Sequence, residues 1–121
     1  MLTRDQLLSD AARALPREIV RVPELGGDVI VQGMSGTARD AWEAGLIKGK
    51  GKKREVNTLN MRAKLVQACC VTEDGAPMFA PEDIPAIGAM RADILDRLFD
   101  SAKRLSGLTD EDEDELGQPS S

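Results

Sequence analysis

Histidine and tyrosine are absent from this 121-residue chain, and its aromatic side chains amount to Trp42, Phe79 and Phe99. The missing imidazole removes the commonest general base, the usual activator of a nucleophile and the commonest zinc ligand. A carboxylate enzyme remains conceivable, but most Asp and Glu fall on the outer faces of predicted helices, where solvated carboxylates are the better expectation. Scarce aromatics argue against binding single-stranded nucleic acid by base stacking. They also leave the core to Leu, Ile, Val, Met and Ala. The only cysteines, Cys69 and Cys70, are adjacent. Neighbours on a helix point about 100° apart, which excludes an ordinary disulfide and a CxxC-type site; small buried hydrophobes are expected. No apolar run is long enough to span a membrane, and Arg4, Asp5 and Asp10 stand where a signal peptide would become apolar. A soluble, cytoplasmic, non-enzymatic protein without cofactor or metal is the expectation.

Charge is present in two opposed blocks. Lys48, Lys50, Lys52, Lys53 and Arg54, interleaved with glycine, place five positive charges in seven residues. Asp110, Glu111, Asp112, Glu113, Asp114 and Glu115 follow as an unbroken acidic run. Of 16 basic and 21 acidic side chains, those six acids alone turn a +1 body into a chain of net charge −5. The chain therefore reads as a balanced domain, residues 1–109, with an acidic and disordered tail, residues 110–121, that solubilises or regulates.

Periodicity predicts an α+β, mainly helical fold, with one β-hairpin packed against about four helices. Thr3 caps a first helix over about 4–14, with Leu7, Leu8, Ala11 and Leu15 at helical spacing. Strands at 18–22 and 28–32 flank a connection longer than two residues, and a lone hairpin needs helices against one face. Ser35 caps a helix over about 36–47, carrying Ala38, Trp42 and Leu46 on one face. The basic block follows as a solvated loop. Another helix is expected from about Val56 to Val71, then a turn at Glu73–Gly75, and then a crossing from Pro77 to Pro81 that inserts Met78 and Phe79. Pro81–Ile84 opens a short helix. Ile87, Met90, Ile94, Leu98, Ala102 and Leu105 keep the rhythm of one long helix face, ended by Gly107 with Leu108 packing back.

Two binding motifs fail on inspection. Gly45-x-x-x-Gly49-Lys50 is one residue short of a phosphate-binding loop, lacks the following Ser or Thr and follows a helix. Asp110, Asp112 and Asp114 begin like a calcium loop, but Glu115 replaces the required glycine. Protein contact is left as the business of the chain. Met34 and Trp42 are candidate contact residues alongside Lys48, Lys50, Lys52, Lys53 and Arg54, since methionine adapts to imperfectly specified surfaces. The alternative is a small nucleic-acid-binding regulator that grips phosphates with the Lys48–Arg54 loop.

The stretch Ile19-Val-Arg-Val-Pro-Glu-Leu-Gly-Gly-Asp-Val-Ile-Val-Gln-Gly-Met-Ser-Gly-Thr-Ala-Arg-Asp-Ala-Trp-Glu43 resembles the N-terminal part of tail assembly chaperones of long-tailed phages and prophages. Arg62-Ala-Lys-Leu-Val66, Thr72-Glu-Asp-Gly-Ala-Pro-Met-Phe79, Leu95-Asp-Arg-Leu-Phe99 and Arg104-Leu-Ser-Gly-Leu-Thr-Asp-Glu111 continue the likeness in order. Each piece is common alone; their succession carries the resemblance. It implies a protein that coats the tape-measure protein in the bacterial cytoplasm, keeps it soluble, promotes tail-tube assembly around it and is absent from the mature virion. The partners implied are the tape-measure protein and the tail-tube protein. Self-association is expected, and neither membrane nor nucleic acid is. The resemblance transfers no catalytic residue, and the basic loop looks like a variable insertion.

Overall fold

Alternation in two β-branched runs sets the first long-range contact. In the computed structural model, which describes residues 1–48, 55–56 and 60–109, β1 (Arg17–Val22) pairs antiparallel with β2 (Gly27–Gln32). A 3-10 turn at Pro23–Leu25 and Gly26 join them, a connection longer than two residues as expected. The register sets Glu18, Val20 and Val22 opposite Val31, Val29 and Gly27 on the inner face. Arg17, Ile19 and Arg21 face out with Gln32, Ile30 and Asp28, and the Arg17 Nε donates to Gln32 Oε1 at 2.8 Å.

Two helices of the expected kind follow with altered ends. α3 (Gly36–Ala44) is capped by Ser35, whose hydroxyl accepts from the Ala38 amide at 3.1 Å. α4 (Met61–Cys69) is shorter than the predicted 56–71 helix at both ends. Before it, Ile47–Lys48 (β3) and Glu55–Val56 (β4) form a short antiparallel pair, so the predicted helix start at Val56 is a strand instead. After it, Cys70–Val71 becomes β5, pairing with Ile30 and Val31 to give the sheet order β1-β2-β5. The short apolar run Ala68–Val71 suits a buried helix end and a buried strand equally, and the free edge of β2 decides in favour of extension. Chain reversal at Thr72–Ala76 then brings the Met78 amide to the Cys70 carbonyl at 3.0 Å. Phe79 packs against the core, whereas Met78 stays exposed rather than inserted.

The predicted long C-terminal helix is two. Pro81–Asp83 makes a 3-10 turn, α5 covers Ile84–Gly88, and α6 runs from Ala92 to Leu105. Gly88 weakens the helix at that point, and Arg91 and Asp93 start a new one, with the Asp93 carboxylate accepting from the Ile94 amide at 3.0 Å. At the other end, Gly107 takes φ +73°, the Gly107 amide donates to the Arg104 carbonyl, and Leu108 donates to Lys103. These are the paired bonds of a Schellman stop, and Leu108 is buried as expected.

The core lies between the inner sheet face and α4 and α6. Val20, Val22 and Val31 meet Leu65, Val66, Cys69, Ile94, Leu98, Phe99 and Ala102, while Trp42 and Leu46 extend the same cluster under α3. Burial pushes the Cys69 and Cys70 thiols up to about 11 and about 12, so both are inert packing groups.

The N-terminal segment stands apart. Thr3 forms the expected cap with Gln6, but the helix breaks into single turns at Arg4–Leu7 (α1) and Asp10–Arg13 (α2). The Ser9 hydroxyl donates back to the Gln6 carbonyl at 2.7 Å, a local bond that competes with continuing the helix. Neither turn buries any residue.

Candidate protein-contact surface

Small residues on α3 and α4 leave a groove. Ala38, Ala41 and Gly45 recur at helical spacing along one exposed strip of α3, and Ala68 faces them from α4. With Trp42, Gln67 and Ile84 they line an open, largely apolar depression of about 370 Å³. Its rim is fixed by hydrogen bonds. The Lys64 ammonium donates to the Gly45 carbonyl at 3.1 Å, satisfying the end of α3, and the Gln67 amide donates to the Phe79 carbonyl at 3.3 Å. Trp42 is only 7% exposed, and its indole Nε1 is buried without a hydrogen-bond partner among the described residues. An unpaired buried N–H costs about 1–3 kcal/mol.

A second depression of similar size runs between β1 and α6, and ion pairs cross it. The Arg97 guanidinium grips the Glu24 carboxylate through two bonds at 2.7 and 2.9 Å and also donates to the Arg21 carbonyl at 3.2 Å. Farther along α6, the Ser101 hydroxyl and the Arg104 guanidinium both donate to Glu18. These pairs tie α6 to the hairpin and hold both carboxyls below their ordinary range, Glu24 at about 2 against 4.5. A carboxyl with a lowered folded-state pKa stabilises the fold above its unfolded value and loses that contribution as pH falls through the folded one. Thermal stability is therefore expected to drop between pH 4.5 and pH 2. Melting curves across that range check it. Glu24→Gln melts lower than the parent at pH 6 and the gap closes near pH 2; a gap independent of pH would show that the pair does not titrate.

The sequence-derived contact residues are not gathered into one patch. Trp42 lines the groove from within the core. Met34 is half-buried against the core, with its amide donated to the Ser106 hydroxyl at 3.1 Å. Lys48 closes β3, and Lys50, Lys52, Lys53 and Arg54 lie outside the described residues, as do Asp110, Glu111, Asp112, Glu113, Asp114 and Glu115. Sequence reasoning missed the groove itself. Its signal was the run Ala38, Ala41, Gly45, which marks a close-approach face only once α4 is known to lie beside it. Exposed apolar side chains gather elsewhere too: Leu2, Leu7 and Leu8 are 69%, 59% and 51% exposed, and Ile19, Leu25 and Met78 also face solvent.

The described residues thus present one open, largely apolar groove and a helix tied to the hairpin by ion pairs, and among them there is no cluster of three or more Cys, Asp or Glu suited to a metal. Among those residues no helix is long and apolar enough to cross a membrane. The family model of the phage tail assembly chaperones matches residues 3–117, and the chain belongs to that family. In fold it is similar to the tail assembly chaperone of bacteriophage HK97, with a TM-score of 0.58 and 23% sequence identity over 87% of this chain and 98% of that one. No curated protein sequence matches it.

Proposed function

We propose that this chain is a non-enzymatic chaperone that binds the tape-measure protein of its phage in the host cytoplasm, keeps it soluble and promotes assembly of the tail tube around it. Membership of the family supports the role, and one structural observation carries it to this chain: apolar surface is left open on a body whose α6 is pinned by ion pairs. A long client engaged through many weak contacts gains by multivalency, so shallow grooves suffice. Within this proposal the basic Lys48–Arg54 block serves protein contact and the acidic tail keeps the assembly soluble.

Co-expression with the tape-measure product of the same phage tests the role. The client is expected in the soluble fraction, bound to this chain and able to recruit tail-tube subunits. A client equally soluble without the chain, with no complex recovered, would end the proposal.

A further inference from the structure

We propose that the acidic run Asp110–Glu115 folds back along the open edge of β1 and covers it as an added strand of the same chain. This contact lies beyond the proposed function, since it protects the sheet whatever the client.

In the sheet order β1-β2-β5, β1 has a neighbour on one side only. The Gly33 amide donates to the Pro16 carbonyl, so the hydrogen-bonded antiparallel pairs are Pro16–Gly33 and every second pair beyond it. Arg17, Ile19 and Arg21 therefore turn their amides and carbonyls away from β2. Of these groups only the Arg21 carbonyl has a partner among the described residues, the Arg97 guanidinium at 3.2 Å. Ile19, in the middle of the row, is 66% exposed. An open edge beside an exposed apolar side chain invites pairing with other chains, and proteins commonly cover such edges. The depression between β1 and α6 runs along this edge and leaves room for a backbone.

Tether and charge choose the occupant. α6 lies antiparallel beside β1, since Arg97 reaches Arg21 whereas Arg104 reaches Glu18. Its last turn is held at the start of β1: the Leu105 carbonyl abuts Gly33, and the Ser106 hydroxyl accepts from the Met34 amide. After the Gly107 stop, the chain passes through buried Leu108 to Thr109, and the acidic run begins at that same end. Running back from there, it lies parallel to β1. Six extended residues span about 20 Å, and Arg17 to Arg21 needs about 13 Å. On the outer face Arg17 and Arg21 flank Ile19. The Arg21 side chain has no partner among the described residues, and Arg17 commits only its Nε to Gln32. The run alternates Asp and Glu, so an extended form carries three Asp on one face and three Glu on the other. One set lies over the arginines; the other turns toward α6, where Asp100 opposes it.

Amide hydrogen exchange on the full chain, read by NMR, tests the contact. The comparison is a variant with Asp110, Asp112 and Asp114 changed to Asn and Glu111, Glu113 and Glu115 changed to Gln; circular dichroism establishes that it folds. The amides of Arg17, Ile19 and Arg21 are expected to exchange at least tenfold more slowly in the parent, while those of Glu24 and Leu25 at the hairpin turn keep their rates. Arg21→Gln, an exposed change, shrinks the protection, as does salt at about 1 M, which screens surface charge pairs. Variants neutralising only the Asp set or only the Glu set differ from each other at least threefold. Equal exchange in the parent and the fully neutralised variant would overturn the proposal, as would protection untouched by Arg21→Gln and by salt. Slowing that reaches Glu24 and Leu25 alike is a field effect, equal losses from the two sets are diffuse attraction, and either result ends it. Protection that grows with protein concentration assigns the edge to a second copy and ends it as well. None of these readings involves the client, so the co-expression test of the chaperone role stands or falls separately.

Discussion

Gly33→Ala is expected to destabilise the fold by about 3 kcal/mol, at the upper end of what overpacking costs. A Cβ built on Gly33 would stand 2.3 Å from the Leu105 carbonyl oxygen and 2.9 Å from its carbon. Both are backbone atoms in the last turn of α6, and backbone cannot step aside as a flexible side chain does. The Gly33 amide is also committed, donating to the Pro16 carbonyl at 2.9 Å beyond the end of the β1–β2 ladder. The added methyl must therefore push α6 off the sheet or break the ladder's closing bond. Gly36→Ala is the control. Gly36 is exposed with open space around it, so its replacement is expected to be neutral or to stabilise by a few tenths of a kcal/mol. Urea unfolding followed by circular dichroism checks both. Equal midpoints for Gly33→Ala and the parent would mean that the close approach of Gly33 to Leu105 is wrong.

That close approach shows where sequence reasoning ended. Signals confined to a few neighbouring residues were legible: the Thr3 and Ser35 caps, the β1–β2 hairpin, the proline-led turn at Pro81 and the glycine stop at Gly107. Each rests on a bond between residues three to five apart, or on alternation within one strand. Where tertiary context decides, the sequence was ambiguous. Cys70 and Val71 extend into β5 because β2 offers them partners, and nothing in their own pattern distinguishes that from one more helical turn. The Ile87–Leu105 face keeps its rhythm across a helix break because residues on two helices share one core. Nothing in the residues around Gly33 shows that α6 will lie against it; only the packed fold does. The α3–α4 groove belongs to the same class, since a small-residue strip is a surface feature only after two helices are placed. The acidic tail and most of the basic block lie outside the described residues, and their proposed roles rest on charge alone.

Phe99→Ala should have the other large effect, about 3–5 kcal/mol. Phe99 is one of three aromatic residues in a core otherwise built of smaller aliphatics, and it is buried where α6 meets α4. Two interactions converge on it. The ring fills the helix interface, and the Arg62 guanidinium lies 5.5 Å from its centroid while pairing with Asp96 at 3.2 Å. Magnitudes separate them. Arg62 and Asp96 are each half-exposed, so the cation–π and ionic contributions together come to about 1 kcal/mol. Arg62→Ala is therefore expected to cost no more than that, and Phe99→Ala several times as much. Phe99→Leu retains most of the buried surface and falls between. Small domains hold only about 5–15 kcal/mol in total, so the alanine variant approaches the unfolding threshold at 37 °C. Urea midpoints at constant m-value rank the three variants. An alanine variant within 1 kcal/mol of the parent would show that α4 and α6 are not packed through this ring. The consequence reaches the groove, because α4 supplies its Ala68 wall and the Lys64 rim while leaning on Phe99 from the opposite side. A Phe99→Ala chain should thus distort that groove along with losing stability, whereas Arg62→Ala leaves the groove in place.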